Sequence, residues 1–187
     1  MNTTSRQSRL PRRLAIGAVL GALIAVVVAA PGHAAPANDG ADPATQLTTI
    51  TVTRSGPIAV APARVAAGAP TGAVRAAVAA ATHCWYYDDT RQGKNIFGGT
   101  LFTFHTRTNW CGDGTWVRNY AYTNTDASTI PGWVYEGLEQ NYDQYGVNWN
   151  EFHSYRQGQF CLLNCIAGNV SLTNDVLVGP AGQVYHG

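Results

Sequence analysis

Two textures of apolar and polar residues divide this chain. Leu14 to Ala30 (LAIGAVLGALIAVVVAA) is an unbroken apolar run, whereas beyond residue 82 apolar and polar residues alternate in short stretches. Alternation at every second position is the mark of a strand with one buried face. It is clearest in Gly99 to Cys111 (GTLFTFHTRTNWC), where Phe102, Phe104, Thr106, Thr108 and Trp110 fall on one side of the pleat. Leu101, Thr103, His105, Arg107, Asn109 and Cys111 fall on the other. Gly112-Asp113-Gly114 then offers the positive-φ positions of a tight hairpin, and Thr115 to Thr123 (TWVRNYAYT) is expected to return as its partner strand. Ile130-Pro131-Gly132 marks a second turn before Trp133-Val134-Tyr135-Glu136. Asn150 to Tyr155, Gln159 to Leu163, Gly168 to Thr173 and Val176 to Val178 read as further short strands separated by Gly, Asn and Pro. Short strands at this spacing, with no helical period of useful length, predict an all-β fold: a single antiparallel β-sandwich of about 7–9 short strands.

The remaining chain divides by composition. Residues 1–34 read as a secretory signal peptide, with Arg6, Arg9, Arg12 and Arg13 ahead of the apolar run and Gly32-His33-Ala34 after it. An uncleaved membrane anchor is the alternative, because the run is long for a signal core and short for a span. Residues 35–82 are rich in Ala, Pro, Val, Gly and Thr and hold no Cys, Trp, Tyr or Phe. Such a stretch buries too little apolar surface to offset the entropy of ordering, so a disordered leader, linker or pro-segment is expected. Two short stretches within it carry a pattern. Gln46 to Thr53 alternates like an edge strand, and Ala73 to Ala81 has the composition of a helix. All five tryptophans, nine tyrosines, five phenylalanines and four cysteines lie in residues 83–187, which are assigned to the sandwich domain.

Charge and cysteine usage narrow the partners. Four of the twelve basic residues lie in the signal, which leaves eight against eleven acidic ones. A chain with that balance lacks the cationic surplus that displaces counterions from phosphates, so nucleic acid is excluded as a partner. No membrane contact is expected once the signal is removed. An even cysteine count in an exported chain points to disulfides. Of the three possible pairings, Cys84–Cys111 with Cys161–Cys165 is favoured, as staples of the first strand and of a small loop. No metal or cofactor is expected: Cys161 and Cys165 lack a matching second pair. Asn124, Asp126 and Ser128 lack the central Gly and closing Glu of a calcium loop.

Cys84, the run Trp110-Cys111-Gly112-Asp113-Gly114 and a Trp133 that follows a Pro-Gly turn resemble uncharacterised small secreted β-sandwich proteins of actinobacteria. The resemblance covers the C-terminal half. It implies an exported, extracellular sandwich and carries over no catalytic residue.

For chemistry, the chain has no GxSxG elbow, no HExxH and no phosphate-cradling glycine loop. The catalytic alternative is an extracellular glycoside hydrolase using paired carboxylates, with Glu136 and Glu151 as the candidate pair. His105 and His153 are candidate acid–base residues, the latter beside Glu151. The favoured expectation is a non-enzymatic protein that binds carbohydrate or a cell-wall surface. Its platform would be Trp116, Tyr120, Tyr122, Trp133 and Tyr135, with Arg118 or Asn119 supplying hydrogen bonds. The competing reading, favoured by their bulk, is that these rings form the sandwich core instead. A protein-interaction or inhibitor module is the third class.

Overall fold

Alternation along Gly99 to Cys111 resolves into one strand of a computed structural model that describes residues 42–81, 83–117 and 120–187. In chain order the elements are β1 (Thr49–Val60), α1 (Pro62–Ala67), α2 (Gly72–Ala79), β2 (His83–Lys94), β3 (Thr100–Gly112) and β4 (Ala121–Thr129). Then come β5 (Trp133–Tyr145), a 3-10 turn at Val147–Trp149, β6 (Phe152–Leu162), β7 (Gly168–Val178) and β8 (Val184–His186). Strands β1-β2-β3-β4 form sheet A and β5-β6-β7-β8 form sheet B, each antiparallel and in chain order. The fold is an antiparallel sandwich made of two four-stranded meanders.

The sheets meet over two apolar clusters. Tyr87, Trp110, Val117, Phe152, Val176 and Val178 fill one end, and Leu101, Phe102, Phe104, Trp133, Phe160 and Leu172 fill the other. Gly158, midway along β6, faces this interior. A β-carbon there would lie 2.6 Å from the Phe104 ring, so the ring sits where only glycine leaves room. Between the clusters lies a polar layer whose members and partners come from six strands, β1, β2, β3, β5, β6 and β7. Asp89 is gripped by Arg54 at 3.0 Å and Arg91 at 3.2 Å. Asn174 donates to the Thr106 hydroxyl. Arg156 donates to the Tyr142 and Tyr155 carbonyls and to Asp143. Buried charges of this kind persist only when paired.

Disulfides Cys84–Cys111 and Cys161–Cys165 form, and no cysteine is free. The first joins residues directly opposite in the β2–β3 register. No helix of the described residues is long and apolar enough to cross a membrane.

Four sequence expectations change. The linker assigned to residues 35–82 is folded from Thr49 onward. β1 pairs with β2 along its length, as the Gln46 to Thr53 pattern suggested for an edge strand. The helix pair α1–α2 seals Val65, Ala66, Ala69 and Val78 onto Cys84, Cys111 and Tyr122. Small residues suffice here because the strands beneath supply the bulk. Residues 1–41, which include the stretch read as a signal peptide, lie outside the described residues. Second, Gly112 to Thr123 is no tight hairpin. After β3 the chain loops, Asp113 Oδ1 accepts from the amides of Thr115 and Trp116, and Val117 is sunk in the inter-sheet core. The bulk that looked like alternation is a loop anchoring itself. Third, the runs Asn150 to Tyr155 and Gln159 to Leu163 are one strand, as are Gly168 to Thr173 and Val176 to Val178. Finally, Trp133 to Glu136 continues to Tyr145, with register shifts after Tyr135 and Leu138 that scramble the two-residue period.

Candidate binding site

The outer face of sheet A gathers polar side chains by register alone. On β2, Tyr86, Asp88 and Thr90 alternate outward, and opposite them on β3 stand Asn109, Arg107 and His105. Asn124 and Asp126 of β4 face Arg107 and His105 in turn. Arg107 grips Asp88 with a two-pronged fork, Nε to Oδ1 at 2.7 Å and Nη2 to Oδ2 at 2.8 Å. Forked pairs of this kind fix direction as well as distance. His105 Nε2 lies 3.1 Å from the same Oδ1. The guanidinium also sits 4.5 Å above the Tyr86 ring, a cation–π contact.

Burial alone would raise the Asp88 carboxyl, but the hydrogen bonds and charge of Arg107, with help from His105, hold it below the usual carboxylate range. Arg107 is pushed up in return, chiefly by its hydrogen bonds to Asp88. The pair stays ionised, and Arg107 is locked in place.

At the end of this face α1 forms a wall. Pro62 starts the helix, where its missing amide costs nothing, and the Tyr122 hydroxyl donates to the Val65 carbonyl at 2.5 Å. Burial raises the Tyr122 phenol. Between helix and sheet lies a concavity of about 140 Å3 whose polar lining is Arg64, Tyr86, Arg107, Asn109, Tyr122 and Asn124. That is room for one sugar ring or one carboxylate-bearing group, well short of the usual small-molecule pocket. A second hollow of about 200 Å3, at the edge of sheet B, is lined by Asn150, Glu151, Leu177, Gln183 and Tyr185 among others. Apart from Tyr185 on β8, its polar groups stand on turns rather than on strands.

The five aromatics expected to form a platform do not share a surface. Trp133 is buried between the sheets, packed on Phe102, with its indole N–H on the Thr45 carbonyl at 2.9 Å. Tyr135 is half-buried against Phe160 on the same interior side, and burial raises its phenol. Tyr122 is buried under α1, and Tyr120 packs beside it. Trp116 lies half-buried in the loop after β3. Arg118 and Asn119 lie outside the described residues. Large rings were drawn into cores because that is where they bury most area.

The catalytic candidates are also dispersed. Glu136 stands near the start of β5, whereas Glu151 lies beyond its far end, where its carbonyl accepts from Gly146. His105 faces out from sheet A and His153 from sheet B. Instead of meeting each other, His105 contacts Asp88 and His153 contacts Asp175 at 2.5 Å. Neither pair has a serine or cysteine nucleophile bonded to it among the described residues. Glu136 approaches the Cys161 and Cys165 sulfurs within 4.8 Å, but both are spent in a disulfide.

Alternation in the sequence places His105, Arg107 and Asn109 on one face of β3 but does not single out Asp88, Tyr86 or Arg64. The alternation Tyr86-x-Asp88 was legible; the helical wall carrying Arg64 was not. No protein family, curated protein or solved structure matches this chain.

Proposed function

We propose that this is an exported protein that binds a polysaccharide or cell-wall glycan, in a binding rather than a catalytic role. The concavity between α1 and sheet A is the site. One observation carries the reading: Arg64, Arg107, Asn109 and Asn124 converge on one hollow, with Arg107 aimed by the Asp88 fork. A guanidinium and amides held on a rigid sheet suit the hydroxyls and carboxylates of an acidic sugar. Export is supported by the signal-like residues 1–34, by the two disulfides and by the resemblance to secreted actinobacterial proteins. The hydrolase alternative has lost its carboxylate pair, since Glu136 and Glu151 stand at opposite ends of β5.

The test is retention of the oxidised chain from Ala35 onward on insoluble polysaccharides and isolated cell wall, with competition by soluble acidic and neutral glycans. Binding competed by acidic glycans and reduced about tenfold or more in Arg107→Ala, a charged hydrogen-bond loss of the usual size, is the expected result. Retention on no matrix, or retention that Arg107→Ala and Asn124→Ala leave unchanged, would sink the proposal.

A further inference from the structure

Three turns gather at the end of the sandwich away from the helices. They are the β2–β3 turn (Asn95-Ile96-Phe97-Gly98-Gly99), the β4–β5 turn (Ile130-Pro131-Gly132) and the β6–β7 turn (Leu163-Asn164-Cys165-Ile166-Ala167). Their common location follows from bonds between them. Ile130 N–H donates to the Leu101 carbonyl at the base of the first turn, and Leu163 N–H donates to the Gly132 carbonyl of the second. The incoming segment threads between them: the Ala44 carbonyl accepts from Asn95 and the Thr45 carbonyl from Trp133.

Not one of these turn residues is charged. The turns of the opposite end carry Asp113 after β3 and Glu151 before β6, whereas the charge outside the strands at this end is Asp42 on the incoming segment. Apart from Asn164, the large side chains that protrude are apolar: Ile96 is 58% exposed, Phe97 74%, Leu163 56% and Ile166 88%. The β6–β7 turn holds its pair outward by force of backbone, with Leu163, Asn164 and Cys165 all at positive φ and Cys165 tied to Cys161. Polar residues begin at the rim, with Lys94 bonded to Thr100 and Glu136 beside Cys165. Large apolar side chains exposed together at one end, with polar residues around them, mark an interaction surface.

From this arrangement we infer that the end of the sandwich carrying Ile96, Phe97, Leu163 and Ile166 inserts into the surface of a lipid bilayer. Two features favour a bilayer over a protein partner. The apolar groups stand on separate convex tips, which a soft hydrocarbon surface accepts without a matching groove. The described chain also enters at this same end, at Asp42, and the apolar run Leu14 to Ala30 lies only eleven residues upstream. A retained anchor would hold the tips within about 40 Å of the membrane, at about 3.5 Å per linking residue. With the anchor removed, the tips themselves make the contact. The glycan hollow, beside the helices at the other end of β2 and β3, then faces away from the bilayer. The absence of a cationic cluster at the tips means that anionic lipid is not required.

The test uses the chain from Ala35 onward, which keeps every described element and lacks the apolar run. Co-sedimentation with phosphatidylcholine vesicles, and with vesicles that also contain phosphatidylglycerol, is measured at low and high salt. Equal binding to both, insensitive to salt, is expected. Ile96→Ser/Phe97→Ser and Leu163→Ser/Ile166→Ser should each weaken it about tenfold or more, given the apolar area removed. Phe97→Trp keeps the tip apolar and should show a blue-shifted emission, relative to the parent, when vesicles are added. Absent vesicle binding, binding that needs anionic lipid and collapses in salt, or an unshifted Phe97→Trp emission would each overturn the inference. A dimer in light scattering that the tip variants abolish, without vesicle binding, would reassign the surface to a second copy of the chain. None of these outcomes touches the glycan hollow, so the two proposals fail separately.

Discussion

Sheet A turns its outer face toward α1 and α2, while sheet B turns the equivalent face toward solvent. Both carry a histidine against an aspartate: His105 with Asp88 on sheet A, His153 with Asp175 on sheet B. On sheet B the pair lies beside stacked Tyr142 and Tyr155, and the Glu139–Ser171 hydrogen bond spans the same surface. Among the described residues no helix covers them. On sheet A the helices add a wall, and the wall turns a flat polar face into a hollow. The same kinds of residue thus make a surface in one place and a candidate site in the other, and the difference is the cover.

The comparison can be broken most forcefully at the disulfide beneath the helices. Cys84→Ala/Cys111→Ala should cost about 3–4 kcal/mol through the loop it frees, read by denaturant unfolding. Removing the Cys161–Cys165 bridge on sheet B, which closes a five-residue ring, should cost about 2 kcal/mol on the same reasoning. Equal losses would mean that the cover contributes less than its burial suggests. Val78, fully buried on the inner face of α2, is next: Val78→Ala should destabilise by about 2 kcal/mol, the usual scale for removing buried methyl groups. Its counterpart on the bare face, Tyr142→Ala, should cost under about 1 kcal/mol because the ring is already substantially exposed.

Protons give a finer probe. His186 on β8 lies 3.2 Å from the Tyr87 hydroxyl, and its pKa is lowered from 6.5, first by burial and then by Arg54. A lowered folded value means that the unfolded chain takes up the proton first. Stability is therefore full above pH 6.5 and falls as the pH drops through the folded value. His186→Gln should flatten that limb in pH-dependent unfolding. The Asp88 carboxyl, also lowered, adds a second loss that begins only below its ordinary value of 3.8. Arg107→Ala should remove that second limb and leave the first, which separates the clamp on sheet A from the edge of sheet B.

How far the sequence could be read depended on what each strand faces. β3 was legible because its inward residues, from Phe102 to Trp110, keep one phase against a single partner sheet. β6 and β7 looked broken at Arg156-Gln157-Gly158 and at Asn174-Asp175, since polarity there resembles a turn. Those positions are the polar layer between the two apolar clusters, where Arg156 finds Asp143 and Asn174 finds Thr106. A buried polar residue and a loop residue look alike until the partner is known. β5 was cut short for another reason, because its two register shifts move side chains off the expected face.

The candidate site shows the same limit. His105 and Arg107 could be placed on one face from alternation alone, and of the three pairings the cysteine count allows, the favoured one is the one that forms. That Trp133 is buried between the sheets and Tyr122 beneath the helices required knowing what packs over each. The sequence by itself determined the all-β alternation, the disulfide chemistry and the local grouping of β3 side chains, because these depend on neighbours a few residues away or on composition. Tertiary structure alone decided that an Ala-rich stretch becomes a lid, that Asp88 meets Arg107, and that three uncharged turns share one end. Each is a meeting of segments distant in the chain, made favourable only when the whole core closes.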